Sequence, residues 1–460
     1  MKTTAIITSA LFLTINIAFA QFNGHVSNRA THIVKLKSAM DSTAAQNLIL
    51  ASHKAYSQSK SGPKYSLFRK RRRSYLSTKT NQQMEEDDAT LLQPKLILDY
   101  LAVDESFTTI AGVFTDDQFM DYLHQQSNIE YIEINQLYKA QALLPLLNYN
   151  LNNNTNAYTY LQRIQELKFE RRGLMQNMVS PNWGQSRITQ RGLGSMDQYT
   201  YDDAAGEGIH VFVLDTGVNV DHLDFEGRAE NNANFVETEN GTDMGGHGTH
   251  VAGKIAGNLY GIAKKVQIHS VKILNKSGDG TTAQLIKGIT HVIKTAIPGK
   301  TLINLSLSGP KSRIIDDILN KAVMEHNIPV FVSSGNSASD ACFFSPSSNP
   351  NVFAVGASDR NDEVPTYSDV GQCVRMYAPG SEIESTWISG PDATKIIDGT
   401  SMANPHVTGI AAILLSRKSY ATVKELYKDL ADMGTADALS FKWSSPTISN
   451  HNLLAFVENI

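Results

Sequence analysis

Three residues far apart in this chain have the types that acyl transfer needs. Ser401 lies in Gly399-Thr400-Ser401-Met402-Ala403-Asn404-Pro405-His406-Val407, with the apolar run Gly409 to Leu415 behind it. A glycine turn there delivers a hydroxyl to the start of a helix, beside free backbone N–H groups and the positive end of the helix dipole. Such a serine is either a nucleophile or an ordinary N-cap. Asp215 follows the buried-strand pattern Val211-Phe212-Val213-Leu214 and precedes Thr216-Gly217; alone it reads equally as a turn aspartate. His247 sits in Gly245-Gly246-His247-Gly248-Thr249-His250-Val251-Ala252-Gly253. His247 and His250 also have the spacing of a metal pair, but no acidic or cysteine ligand stands at helical spacing from them. The order Asp, His, Ser is one of the known chain orders of the serine triad, and the fragments are specific only in combination.

Elements that could position these groups alternate from about residue 180 onward. Apolar β-branched runs at 209–214, 267–274, 301–307, 329–332 and 352–355 alternate with helical patterns at 250–258, 282–295 and 314–326. Short continuous apolar strands between helices imply a parallel sheet covered on both faces, an α/β architecture. Functional groups of such sheets gather at the carboxyl ends of the strands. Before this region, strand patterns at 31–37, 107–114 and 129–134 and helical patterns after the first strand and over 116–126 predict a small α+β unit. Between the two, 148–156 is asparagine-rich and 158–178 has the pattern of a charged helix, which reads as a linker or cleavable segment. No period repeats, so a solenoid is excluded.

The strings VFVLDTGV, GGHGTHVAG, FVSSGN and GTSMANPHV together resemble the subtilisin-like serine proteases, in particular their fungal proteinase K and cerevisin branch; the resemblance covers about 180–460. It implies a subtilisin-like parallel sheet sandwiched by helices. Ser401 would be the nucleophile, His247 the general base and Asp215 its orienting carboxylate. The Asn336 side-chain amide would join the Ser401 N–H in an oxyanion hole. The resemblance also implies that Gly278, Asp279 and Gly280 belong to an edge pairing with extended substrate, and that Ser306, Leu307 and Ser308 face Ser333, Ser334 and Gly335 across the primary specificity pocket. Residues 30–138 resemble the inhibitor-type propeptides of these enzymes, a ferredoxin-like α+β domain.

Departures from the family pattern carry expectations of their own. Serines at 308, 333 and 334 replace small apolar residues, which predicts a smaller or more polar pocket. Asn404 replaces a small residue and is expected to pack beside the nucleophile without taking part. Arg375 stands where calcium-binding relatives carry an aspartate; a guanidinium has no acceptor for a cation, so that metal site is expected to be absent and no cofactor is implied.

Composition sets the outer bounds. The chain has 460 residues, with 41 Lys+Arg against 45 Asp+Glu and a net charge of −4, which offers no argument for nucleic-acid or membrane partners. Residues 1–20 read as a signal peptide, with Lys2, an apolar stretch and Ala18-Phe19-Ala20 as cleavage site. Secretion makes pairing of the two cysteines, Cys342 and Cys373, plausible against two free thiols, and the resemblance, in which some relatives join a similarly placed pair, favours the disulfide. Sequons at Asn153, Asn240 and Asn275 are candidate glycan sites; Asn304 fits the pattern inside a buried strand. The basic run Arg69–Arg73 and the pair Arg171-Arg172 read as exposed loop or processing sites. The expectation is a monomeric secretory-pathway endopeptidase acting on polypeptides, destined for the exterior, a cell or spore wall, or the vacuole. Its organisation is a propeptide at 21–138, a linker at 139–179 with a cut near Met178–Pro181, and a peptidase domain at 180–460. The rival is a catalytically silent scaffold of the same fold.

Overall fold

The computed structural model describes residues 30–60, 98–104, 106–143, 170–172, 175–180, 182–202, 204–441 and 449–458. Residues 1–20, read above as a signal peptide, the run Arg69–Arg73, the asparagine-rich stretch and Asn153 lie outside them. Residues form two compact units, divided after Asn135.

In the first unit, strands β1 (His32–Leu36), β2 (Leu98–Ala102), β3 (Thr108–Gly112) and β4 (Ile129–Ile134) alternate with helices α1 (Ser42–Lys60) and α2 (Asp117–His124). The sheet order is β2-β3-β1-β4, the split βαβ arrangement of a ferredoxin-like fold. Helix α2 starts where Asp116 accepts the N–H groups of Gln118 and Phe119. Its Phe119 and Leu123 pack with Val34, Leu36, Ile49, Ile110 and Ile129 in one apolar core.

The second unit is built on a nine-stranded sheet. Its strands are β9 (His210–Asp215), β10 (Ala229–Asn234), β11 (Gln267–Lys272), β13 (Thr301–Leu305), β15 (Val330–Ser333), β17 (Phe353–Ser358), β18 (Val374–Pro379), β21 (Thr435–Ala436) and β22 (Leu453–Leu454). In the order β10-β11-β9-β13-β15-β17-β18-β22-β21, every pairing is parallel except the last. Strands β13 and β15 and all of β9 after His210 are buried because helices cover both faces. Those helices include α4 (His247–Ala256), α5 (Thr282–Thr295), α6 (Arg313–Asn320), α7 (Thr400–Arg417) and α8 (Val423–Met433); α3 (Trp183–Arg187) is a single short turn of helix.

A separate antiparallel ladder lies at the carboxyl end of this sheet. Strand β5 (Leu137–Ala140) runs between β12 (Asp279–Thr281) and β14 (Leu307–Pro310), and β14 also pairs with β16 (Phe344–Ser345).

One expectation fails. The pattern at 158–178 predicts a helix; residues 158–169 lie outside the described residues, but Glu170–Arg172 and Met175–Val179 are strands β6 and β7, which join β8 (Gln198–Asp202) in a three-stranded antiparallel sheet. The ladder offered by β8 outweighs the helical propensity of the charged stretch, and no local pattern could announce that partner. Arg171 and Arg172 therefore lie in a paired strand, opposite Gln176 and Met175.

The cysteines form a disulfide, Cys342–Cys373, with Cα atoms 5.4 Å apart. Asn304 is buried within β13 and its amide serves an internal network, whereas Asn240 is exposed.

Candidate active site

The aspartate leaves the sheet at the end of β9. Its Oδ1 receives the N–H of Thr216 at 2.7 Å and lies 2.7 Å from His247 Nδ1. Both residues are buried. Burial acts against the charged form of His247, yet the attraction of Asp215, its hydrogen bond and the more distant Asp243 carboxylate outweigh it and hold the imidazole pKa above its usual 6.5.

The histidine is the first residue of α4, and the loop before it is held by a carboxylate that sequence reading missed. Asp243 Oδ1 accepts the N–H groups of Gly245 and Gly246 and the Thr216 hydroxyl, while its Oδ2 accepts both donors of Thr249. Thr216 Oγ1 in turn receives the N–H of Gly248. One buried anion thus ties the strand end carrying Asp215 to the helix start carrying His247. The visible signal was its position two and three residues before a glycine pair, the spacing of an Asx turn. Gly248 is required by close approach: a Cβ there would collide with the carbonyl of Gly217.

The serine is the second residue of α7, after Gly399 at φ +148°, a conformation L side chains rarely adopt. Pro405 sits inside the helix and has no N–H to give the carbonyl four residues back. That carbonyl belongs to Ser401, and the Ser306 hydroxyl lies 3.3 Å from it instead. Ser401 Oγ donates to the Ser306 carbonyl at 2.9 Å. His247 Nε2 is buried with no hydrogen-bond partner among the described residues.

Asn336 follows β15. Its Oδ1 accepts from the backbone and hydroxyl of Thr400, at 3.0 and 2.9 Å, which turns its Nδ2 toward Gly399. That Nδ2 is buried and has no partner among the described residues. Asp369 braces the loop: its Oδ1 accepts the N–H groups of Ser337 and Ser339, and its own N–H donates to Gly335.

The remaining predicted residues fall along β5. Lys139 lies opposite Asp279 on one side and Ser308 on the other; Tyr138 is opposite Gly280, and Ala140 opposite Leu307. Gly278 accepts the N–H of Ala140 at 2.9 Å, and Ser306 that of Gln141 at 3.2 Å. Two of the three hydroxyls expected to make the pocket polar are engaged by backbone carbonyls: Ser333 Oγ donates to the Leu307 carbonyl and Ser334 Oγ to that of Asp369. Asn404 links strands behind Ser401, donating to Asn304 Oδ1 and the Phe331 carbonyl. Gln141, which the sequence reading passed over, meets the site directly: the N–H of Ser401 donates to its carbonyl at 3.1 Å.

Arg375 donates to the carbonyls of Pro350 and Val352, the latter at 2.8 Å, and its guanidinium faces the Tyr427 ring. Among the described residues no group of three or more His, Cys, Asp or Glu is placed to hold a metal ion, and no helix is long and apolar enough to cross a membrane.

A largely parallel sheet between helices, with an aspartate–histidine pair at the end of one strand and an asparagine hydrogen-bonded to the start of the serine's helix, defines a subtilisin-like protein. The profile of the subtilase family matches residues 206–442, and the chain belongs to that family. It is 41% identical over 241 residues to the subtilase-type proteinase psp3 of Schizosaccharomyces pombe, covering 51% of this chain and 53% of that one. It is 38% identical over 286 residues to alkaline protease 2 of Aspergillus fumigatus, covering 57% and 58% respectively. The crystal structure of a cold adapted subtilisin-like serine proteinase superposes with a TM-score of 0.55 at 36% identity, covering 60% of this chain and 97% of that one. The chain spans between half and three fifths of the length of the curated relatives it matches.

Proposed function

We propose that this protein is a serine endopeptidase of the secretory pathway that hydrolyses peptide bonds in polypeptides through an acyl-enzyme. The observation that carries this reading is the 2.7 Å Asp215–His247 pair, together with a helix-start serine whose N–H already holds a peptide carbonyl. In the reaction the Ser401 hydroxyl turns from the Ser306 carbonyl to His247 Nε2, which takes its proton as oxygen attacks the substrate carbonyl carbon. Asp215 keeps Nδ1 protonated and stabilises the imidazolium. The oxyanion is received by the Ser401 N–H and by Asn336 Nδ2, the donor left without a partner. His247 then returns the proton to the leaving amine, and water repeats the sequence on the ester. Strands β12 and β14 bind the substrate chain between them by main-chain pairing.

The first unit is read as a propeptide that assists folding and inhibits until it is removed. The ferredoxin-like topology supports this, together with the continuity of that unit into the strand lying in the cleft. The exported state rests on the segment 1–20 and the disulfide.

A fluorophosphonate probe tests the reaction. The matured protein is expected to label at Ser401, and the Ser401→Ala variant not at all. A folded mature protein that stays unlabelled would overturn the protease reading in favour of a silent scaffold.

A further inference from the structure

Residues 136–143 cross the site as a bound chain. The Gln136 carbonyl accepts the N–H of Thr282, Leu137 to Lys139 pair with β12, and Lys139 and Ala140 pair with β14. Past the serine, Leu143 exchanges both main-chain hydrogen bonds with Asp398, at 2.7 and 3.0 Å. The strand is therefore gripped on both sides of one peptide bond. At that bond the Gln141 N–H lies 3.2 Å from the Ser306 carbonyl and 3.0 Å from Ser401 Oγ, and the Gln141 carbonyl receives the Ser401 N–H. A Cβ on Gly399 would collide with that same carbonyl oxygen and would stand beside Asn336 Nδ2. The site also touches the side chain: Gln141 Oε1 accepts the backbone N–H of Asn336 at 2.9 Å, while its Nε2 folds back to donate to the Lys139 carbonyl of the same strand at 3.0 Å.

We propose that Gln141–Ala142 is the first bond this chain cuts in itself, and that the site recognises an uncharged carboxamide side chain on the acyl side of the bond. The inference rests on the protease reading above. Ser401 Oγ adds to the Gln141 carbonyl carbon and its proton passes to His247. The C–N bond to Ala142 then breaks and the amine of Ala142 takes that proton, leaving Gln141 as an ester on Ser401. Water hydrolyses the ester and frees a carboxylate at Gln141. The bond lies well before the expected cut near Met178–Pro181. At that later position the main chain is held by pairing with β8, Met178 opposite Tyr199 and Val179 opposite Gln198. A protease needs an extended, unpaired chain, so the later position becomes a substrate only after this sheet opens.

The test is a time course on the full-length chain, with the ends of every fragment read by mass spectrometry. A fragment ending at Gln141 and a partner beginning at Ala142 are expected before any other product, and neither from the Ser401→Ala chain. Ala142→Pro is expected to slow this cut at least about a hundredfold and Gln141→Asp about tenfold, because a carboxylate beside the forming oxyanion repels it. Gln141→Asn, which keeps the carboxamide, is expected to stay within about threefold of the parent. A first fragment ending elsewhere, or an Ala142→Pro chain that matures at the parental rate, would overturn the proposal. If the matured protein still labels with fluorophosphonate in that case, the protease reading stands and only this bond assignment is lost; if it does not label, both fall.

Discussion

Single carboxylates set the chemistry at opposite ends of this site. In the proposed reaction the base must be neutral to accept the serine proton, and Asp215 holds His247 above its ordinary value despite its burial. The rate kcat/KM is therefore expected to fall as pH drops through a value above 6.5, not below it, and Asp215→Asn is expected to shift that acid limb downward as well as slow the reaction. A pH–rate profile on a peptide substrate checks both. Asp369, under the loop that carries Asn336, works the other way. Burial pushes its carboxyl up to about 6 from 3.8, against the N–H groups of Ser339 and Ser337. The folded state thus binds this proton more tightly than the unfolded chain. Its stabilisation is complete below about pH 4 and lost as pH rises through about 6. Asp369→Asn keeps the acceptor for Ser337 and Ser339 but cannot ionise. In the inactive Ser401→Ala background it is expected to be more stable at pH 7 by about 2 kcal/mol, with the gain vanishing near pH 4. Denaturant unfolding at both pH values reads this directly.

Between elements, the packing of α4 with α7 buries groups that a soluble helix pair does not require. Lys254 on α4 is fully buried and its ammonium has no hydrogen-bond partner among the described residues. Burial and the nearby Lys264 lower its pKa to about 7, against the attraction of Glu384 and Asp224. His250 on the same helix and His406 on α7 are held well below their usual values, burial again first and the Lys254 charge second. A lysine depressed on folding destabilises most at and below its folded pKa, and the deficit shrinks as pH climbs toward 10.5. Lys254→Met, which retains the volume without the charge, is expected to stabilise the Ser401→Ala protein by about 1–4 kcal/mol at pH 7. Thermal unfolding at pH 7 and pH 10 distinguishes this from a simple packing gain, which would persist at both. Arg375 shows the opposite use of a cation: its guanidinium meets two loop carbonyls and an aromatic face.

Across the whole molecule, one covalent link closes a loop of 31 residues that includes strand β17 of the sheet. Replacing both cysteines with serine is expected to cost about 3–4 kcal/mol of unfolding free energy, measurable by denaturant titration of the Ser401→Ala chain. At this scale, local pattern was enough wherever one stretch of chain specifies its own element. The apolar runs that became β9, β13 and β15, helix α5 at Thr282–Thr295 and strand β4 at Ile129–Ile134 all follow from hydrophobic period and capping residues. The residue types at 215, 247, 336 and 401 were equally legible, because their glycine-flanked settings are local. What the sequence could not decide were the contacts whose partners lie far along the chain. The strands at 170–172 and 175–179 stand where the local pattern predicts a helix, because β8 supplies the ladder. Asp243 became the brace of the histidine loop through Thr216 and Thr249. The serines at 333 and 334 turned their hydroxyls onto carbonyls of other segments. Above all, Gln141 carries no motif; it lies at Ser401 because β12 and β14 leave a strand-wide gap with unpaired main-chain groups on both sides, and an extended segment satisfies them. The sequence alone determined which groups could react, since side-chain chemistry is local; tertiary structure decided what lies between them, since strand pairing is not.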